Sequence, residues 1–369
     1  MFDQILDKYP WSVVSDKIYN SSIDEIDSQL NKEFKTPDDF YSILSPSADS
    51  YLEELAKVSS NITRMRFGNT IQLYAPLYIS NECTNSCIYC GFNMRHKIKR
   101  ITLSYDMIEE ESEILFRKGF RHILLVSGEH RGVVPVSMLS EIGKRLHSKF
   151  ASISIEVYPM KEDEYKLMIG SGVDGLAIYQ ETYDREAYGR VHLSGQKKDF
   201  NWRLNAPERG GSAGFRRIGI GVLLGISDWR VEGFFLALHA YYLMKKCWRS
   251  LIQISFPRLR DAHVGYKAPK PVSDRDLVHL ICAMRILNPD VGLVLSTREL
   301  PLLRDNILPL GITMMSAGSK TEPGGYSHAG IADEQFEIMD TRSPDTVATM
   351  IKQMGFDPVW KDWDRDFLA

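Results

Sequence analysis

Cysteine is scarce, with five in 369 residues. So few cannot build a disulfide framework, and a reducing cytoplasm is the expected compartment. Apolar runs of about 18 residues are missing, which excludes a membrane-spanning helix. The first residues, MFDQILDKYPWSVVSDK, lack the basic and long apolar regions of a secretory signal. A strong charge of either sign is also missing: the net charge is −3, so neither nucleic acid nor a membrane is an expected partner. No repeat or low-complexity tract stands out. What remains is 44% hydrophobic and 25% charged, the composition of an ordinary globular chain with enough apolar content for a core.

The few cysteines are unevenly placed. Cys83, Cys87 and Cys90 fall in one short stretch, CTNSCIYCGF, whereas Cys247 and Cys282 stand singly in helical patterns and read as buried small hydrophobes. Three thiolates on one tight loop can hold a metal centre but cannot complete a four-thiolate [4Fe–4S] site. A cluster with three would leave one iron open, as a catalytic zinc keeps an open position. The competing reading is a structural zinc with His96 as the fourth ligand, although the spacing from Cys90 to His96 matches no common finger.

From about residue 71 the pattern alternates strand and helix. Apolar, β-branched runs occur at 71–80, 122–127, 152–157, 174–179, 217–224, 252–256, 291–296 and 312–316. Ser104 is placed to cap a helix that Gly119 stops, and Ser273 one that Asn288 and Pro289 end. Eight β/α units over this length predict an α/β fold of the (β/α)8 TIM-barrel type. The expected organisation is an N-terminal helical extension over 1–70, the barrel over 71–330, and a short C-terminal helical tail over 331–369. The tail's helix begins at Ser343-Pro344, and the tail is expected to pack against the barrel, a lid or partner contact being the alternative.

Each strand run ends in polar chemistry. The cysteines follow the first, Ser127 to His130 the second, and Glu156 closes the third. Gln180 to Tyr183 follow the fourth, Arg258 and Arg260 the sixth, Arg298 and Glu299 the seventh, and Ser316 to Lys320 the eighth. Active sites of this fold gather at the C-terminal strand ends, so one mouth would collect these groups. Glu156 is the only acid in an apolar run, costly unless it is paired or at the mouth. Arg298 is the preferred grip for a carboxylate, with Ser316 adding a bond. Arg258 and Arg260 are its rivals, and pairing of Arg298 with Glu299 or Glu181 is the structural alternative. Gly219, Gly221 and Gly225 have the wrong spacing for a dinucleotide fingerprint. Their small size is expected to admit an adenine beside the backbone.

The spacing of the three cysteines, with Tyr89 before the last, resembles the signature of the radical S-adenosylmethionine superfamily. That resemblance implies a [4Fe–4S] cluster on Cys83, Cys87 and Cys90, whose open iron chelates S-adenosylmethionine and whose electron releases a 5′-deoxyadenosyl radical. It implies that Gly128 and Glu129 meet the methionine amino group. Glu156 would meet the ribose hydroxyls, a structural salt bridge being the alternative, and Gln180 would join the cofactor site. Tyr89 and Phe92 would cover the adenine or shield the cluster, simple packing being the alternative.

The segments RFGNT, NECTNSCIYCGF, IYQETY, KKDF, SFPRLR, STRE, SKTEPGGY and VWKDWD extend the likeness from about residue 40 to the tail. They resemble the aromatic amino-acid lyase branch, most closely the tyrosine lyases of thiamine biosynthesis. The implied activity is a carbon–carbon lyase that cleaves Cα–Cβ of L-tyrosine to 2-iminoacetate and p-cresol; tryptophan is the alternative substrate. Implied partners are a thiazole synthase subunit and a flavodoxin or ferredoxin reductant. The related lyases of hydrogenase maturation carry further C-terminal cysteines, and none follows Cys282 here. Candidates for handling the phenol proton are His130, Glu181, Tyr183 and Lys320, unranked.

Overall fold

The computed structural model describes residues 1–364 apart from 31, 33, 34 and 261–264. Eight parallel strands close on themselves. They are β1 (Thr70–Ser80), β2 (His122–Ser127), β3 (Ser152–Glu156), β4 (Gly175–Ala177), β5 (Arg217–Gly221), β6 (Leu251–Ser255), β7 (Gly292–Leu295) and β8 (Met314–Ser316). Neighbours pair in sequence order, and β1 closes the ring by pairing with both β2 and β8. The register sets Ala75 beside Ile123 and Gln72 beside Met314. Strands such as β2 are buried along their whole length, because helices cover one face and the barrel interior the other.

Helix ends follow the expected capping. The Ser104 hydroxyl accepts from the Met107 N–H at 3.3 Å, and that helix ends beside Gly119, whose φ of 95° suits only glycine well. Ser273 caps Asp274–Leu287 in a capping box with Asp276.

The N-terminal helices do not stand apart. They lie over Trp229–Lys246 and Asp274–Leu287, two barrel helices that are buried on nearly every side. Aromatic pairs such as Tyr41 on Phe234, 4.7 Å between ring centres, fill this contact. Arg230 fixes it by donating to the carbonyls of Leu44 and Ser45 at 2.9 Å and to Asp49 at 2.7 Å.

The C-terminal part holds the expected helix, Pro344–Gln353, and an additional strand. This β9 (Asp357–Val359) pairs in parallel with the start of β1, Thr70 beside Asp357. It delivers Asp362 to the floor of the barrel. There Asp362 meets buried Arg217 at 2.7 Å and His122 Nε2 at 2.8 Å. The Trp360 ring packs edge-on against Phe120, 5.2 Å between centres. Residues 357–362 therefore pack on the barrel at the end opposite the polar mouth; residues 365–369 lie outside the described ones. Among the described residues no helix is long and apolar enough to cross a membrane.

Candidate active site

β1 runs straight into the cysteine loop. That loop is held from several sides. Thr84 N–H donates to the Glu129 carbonyl at 3.1 Å, Ser86 N–H to Ser194 O at 3.1 Å and Ile88 N–H to Val191 O at 3.1 Å. Cys87 forms a bridge with His192. The Arg100 guanidinium donates to the carbonyls of Asn81, Phe92 and Asn93. The loop is thus fixed by the protein itself, and all three cysteines are free and line one cavity.

That cavity occupies the C-terminal mouth. Besides the cysteines it is lined by Tyr89, Phe92, Gly128, Glu129 and Glu156, and by Glu181, Arg298 and Ser316. Eleven of the candidate residues from the sequence therefore meet in one place. Four other candidates do not. Gln180 donates to the Phe200 carbonyl at 3.4 Å, outside the cavity. Tyr183 is buried in the core, its hydroxyl 2.8 Å from His239 Nδ1 and its ring against Phe2 and Phe235. His130 also lies outside the lining. Lys320 faces a different hollow beside the N-terminus of Pro344–Gln353.

An ionic network that the sequence did not disclose crosses the mouth. Arg203 donates to Glu129 Oε1 at 2.7 Å and to the Tyr179 carbonyl at 2.6 Å; Asn85 donates to Glu129 Oε2 at 2.8 Å. Lys197 reaches Glu181 Oε1 at 2.6 Å, and its backbone N–H donates to Asn85 Oδ1 at 3.0 Å. Burial alone would raise the Glu129 pKa, but Arg203 and Lys197 hold it below the usual carboxylate range. Burial would likewise neutralise Lys197, yet Glu181 keeps its pKa above the ordinary value. Glu181 adopts φ 71°, the one non-glycine in the left-handed region among the described residues. Such backbone strain collects at functional sites.

Glu156 is different. Its carboxylate makes no hydrogen bond or ion pair with any described residue. Burial, reinforced by the negative charge of Glu181, pushes its pKa up to about 7. The neighbouring Ser127 hydroxyl also lacks a partner. Tyr89 is anchored instead. His192 is neutral, because burial and the nearby Lys197 push its pKa down to about 2. His192 Nδ1 faces the Tyr188 carbonyl at 3.0 Å and so carries the proton, leaving Nε2 to accept from the Tyr89 hydroxyl at 2.8 Å.

The arginines separate cleanly. Arg258 donates through Nε to Glu299 Oε1 at 2.9 Å, and Arg260 also binds Glu299. Arg298 is left without an acid partner among the described residues, its guanidinium 3.4 Å from the centre of the Phe336 ring. Ser316, beside it, accepts from the Thr297 N–H at 3.1 Å. Gly221 does not open onto an adenine-sized space, since a Cβ there would meet the Tyr179 ring at 2.9 Å.

The donor set fits an iron–sulfur cluster. It offers three soft thiols and no fourth; Cys247 and Cys282 are buried elsewhere. His96, the zinc alternative, is turned away, its Nδ1 3.2 Å from the Gly91 carbonyl. Among the described residues no three His, Cys, Asp or Glu side chains converge on one ion. A cubane is held at separate corners and needs no such convergence. Burial raises all three thiol pKa values, and the Lys197 cation beside Cys87 and Cys90 counters that rise. The unpartnered Glu156 and Ser127 beside these thiols suit a polar ligand with hydroxyl or amino groups.

Comparison with known proteins agrees with this chemistry. Residues 77–238 match the Radical SAM superfamily, and residues 255–357 the Biotin and Thiamin Synthesis associated domain. The chain is 44% identical to 2-iminoacetate synthase of Escherichia coli over 96% of its own length and 94% of that protein. It is 30% identical to 3-methylornithine synthase of Methanosarcina acetivorans, over 53% of this chain and 57% of that one. Among solved structures, the hydrogenase maturase HydG of Carboxydothermus hydrogenoformans superposes with a TM-score of 0.84 at 30% identity, covering 97% of this chain and 82% of that one.

Proposed function

Because the chain belongs to the 2-iminoacetate synthase family of radical S-adenosylmethionine enzymes, we propose that it cleaves the Cα–Cβ bond of L-tyrosine. The products are 2-iminoacetate and p-cresol, the former for thiazole formation in thiamine biosynthesis. One observation carries this reading: three free thiols on a fixed loop share a cavity with Arg298, a buried cation that no described acid neutralises.

Cys83, Cys87 and Cys90 would hold a [4Fe–4S] cluster, and S-adenosylmethionine would bind beside it against Glu129 and Glu156. Bound together, these groups supply a carbon radical able to take a hydrogen atom from the amino acid. The protein's part is to position and to protect. Arg298 grips the substrate carboxylate with two parallel bonds, and the Ser316 hydroxyl can add a third. Glu129, kept ionised by Arg203, accepts from an ammonium group; its oxygens retain free lone pairs. Glu181, tied to Lys197, stands at the same mouth and is the remaining cavity-lining candidate for the phenol proton. Tyr74, Tyr78 and Tyr179 wall the cavity with apolar ring faces. Such walls exclude water and hold the reacting atoms close.

An α-imino acid is hydrolysed in water. A thiazole synthase subunit that takes it up, a flavodoxin or ferredoxin that supplies the electron, and a reducing cytoplasm are therefore the setting that this function requires. The test is anaerobic. Protein reconstituted with iron and sulfide is given S-adenosylmethionine, reductant and tyrosine, and mass spectrometry follows 5′-deoxyadenosine and p-cresol. Both products are expected. 5′-Deoxyadenosine without p-cresol would move the substrate to tryptophan or another aromatic amino acid, and neither product from cluster-loaded protein would overturn the proposal.

A further inference from the structure

The chain between β8 and the helix Pro344–Gln353 crosses the mouth and presents Gln335 to the cysteine loop. The backbone of Gln335 is fixed first. Its N–H donates to the Thr321 carbonyl at 2.9 Å, and its own carbonyl accepts from the Gly91 N–H at 3.2 Å. Gly91 allows this approach because it has no side chain; a Cβ there would lie 2.6 Å from the Gln335 oxygen. The Gln335 side chain then reaches two further groups. Its Nε2 lies 3.8 Å from Cys90 Sγ, and its Oε1 accepts from the Tyr78 hydroxyl at 2.7 Å. Tyr78 is itself packed edge-on against Phe92, 6.0 Å between ring centres.

These contacts fix which way the amide points. A sulfur bound to iron has no proton to donate, so only the NH2 end of Gln335 can face it favourably. The Tyr78 hydroxyl, donating to Oε1, favours the same orientation. A dipole held in this way acts on charge. Reduction adds negative charge that spreads over the sulfurs, and hydrogen bonds to those sulfurs are among the groups that set a cluster's potential. Partners behind the ligand commonly matter for a metal site as the ligands themselves do.

We propose that Gln335 is a positioning residue which donates a hydrogen bond to the Cys90 sulfur, is oriented for this by Tyr78, and thereby makes the iron–sulfur centre easier to reduce. This rests on the function proposed above only in that Cys83, Cys87 and Cys90 hold such a centre. Gln335→Leu removes the donor but keeps the backbone tie to Gly91. Tyr78→Phe keeps the amide but removes what orients it.

The experiment is a redox titration of the reconstituted protein followed by electron paramagnetic resonance, with iron content measured in parallel. At a fixed solution potential Gln335→Leu is expected to lower the ratio of reduced to oxidised cluster about tenfold, equivalent to about 59 mV for a one-electron couple. Tyr78→Phe is expected to move it the same way by less. Full iron content with an unchanged midpoint in Gln335→Leu would overturn the inference. Should Gln335→Leu not retain iron, Tyr78→Phe decides, and an unshifted midpoint there overturns it. A wild-type protein with no cluster signal would overturn the ligand assignment itself, a failure distinct from an unshifted potential.

Discussion

Arg298 and Phe336 meet with the guanidinium 3.4 Å from the ring centre, while Glu299, the next residue in the chain, is taken by Arg258 and Arg260. Burial lowers the Arg298 pKa, yet an arginine keeps its proton, so a full positive charge waits in the cavity. Arg298→Ala is expected to raise KM for tyrosine by about ten- to a hundredfold, as charged hydrogen bonds contribute about 1.5–3 kcal/mol. Iron content should stay at the wild-type level. Steady-state kinetics checks this, and an unchanged KM would place the carboxylate elsewhere.

The five cysteines divide into two groups by position alone. Cys83→Ala, Cys87→Ala and Cys90→Ala should each lose bound iron and all 5′-deoxyadenosine formation. Cys247→Ala, in a buried site remote from the mouth, should keep both. Iron analysis and product assay give the answer, and full turnover by any of the first three would remove that residue from the ligand set.

Glu156 makes a pH-dependent contribution with an unusual sign. Its pKa rises from 4.5 to about 7 on folding, so between these values the folded chain binds more protons than the unfolded one. Stability therefore falls as pH rises through this window. Glu156→Gln should remove the loss, making the variant more stable than wild type above pH 7 by at most about 3 kcal/mol and no more stable below pH 4.5. Urea unfolding across this range, without S-adenosylmethionine, measures the difference. Parallel curves for the two proteins would contradict the assignment.

At the barrel floor the tail supplies Asp362, the acid that pairs with Arg217. Asp362→Ala leaves that buried guanidinium without its counter-charge, at a cost of about 3–5 kcal/mol. Thermal unfolding should occur well below the wild-type temperature. KM for tyrosine should be unchanged, because Asp362 does not border the mouth.

The eight barrel strands were legible because a strand buried on both faces reads as an unbroken β-branched run. β9 was not, since three residues containing Pro358 carry no such signal. Spacing disclosed the cysteines. Lys197 and Arg203 were hidden because a cation beside a helix end looks the same in sequence whether it faces water or a cavity. Tyr183 follows β4 closely, which in sequence alone points it to the mouth. Past the strand end, however, the backbone turns at Glu181, and Tyr183 is directed into the core. Gln335 lay in a long polar segment with no periodicity to single it out.

The pairing of β9 with β1 joins the last part of the described chain to the first strand of the barrel. On the ribosome all eight barrel strands emerge before residues 357–362 do. Until residues 357–362 are made, Arg217 and His122 have no Asp362 to pair with, so closure of the barrel's base comes late in the order of synthesis.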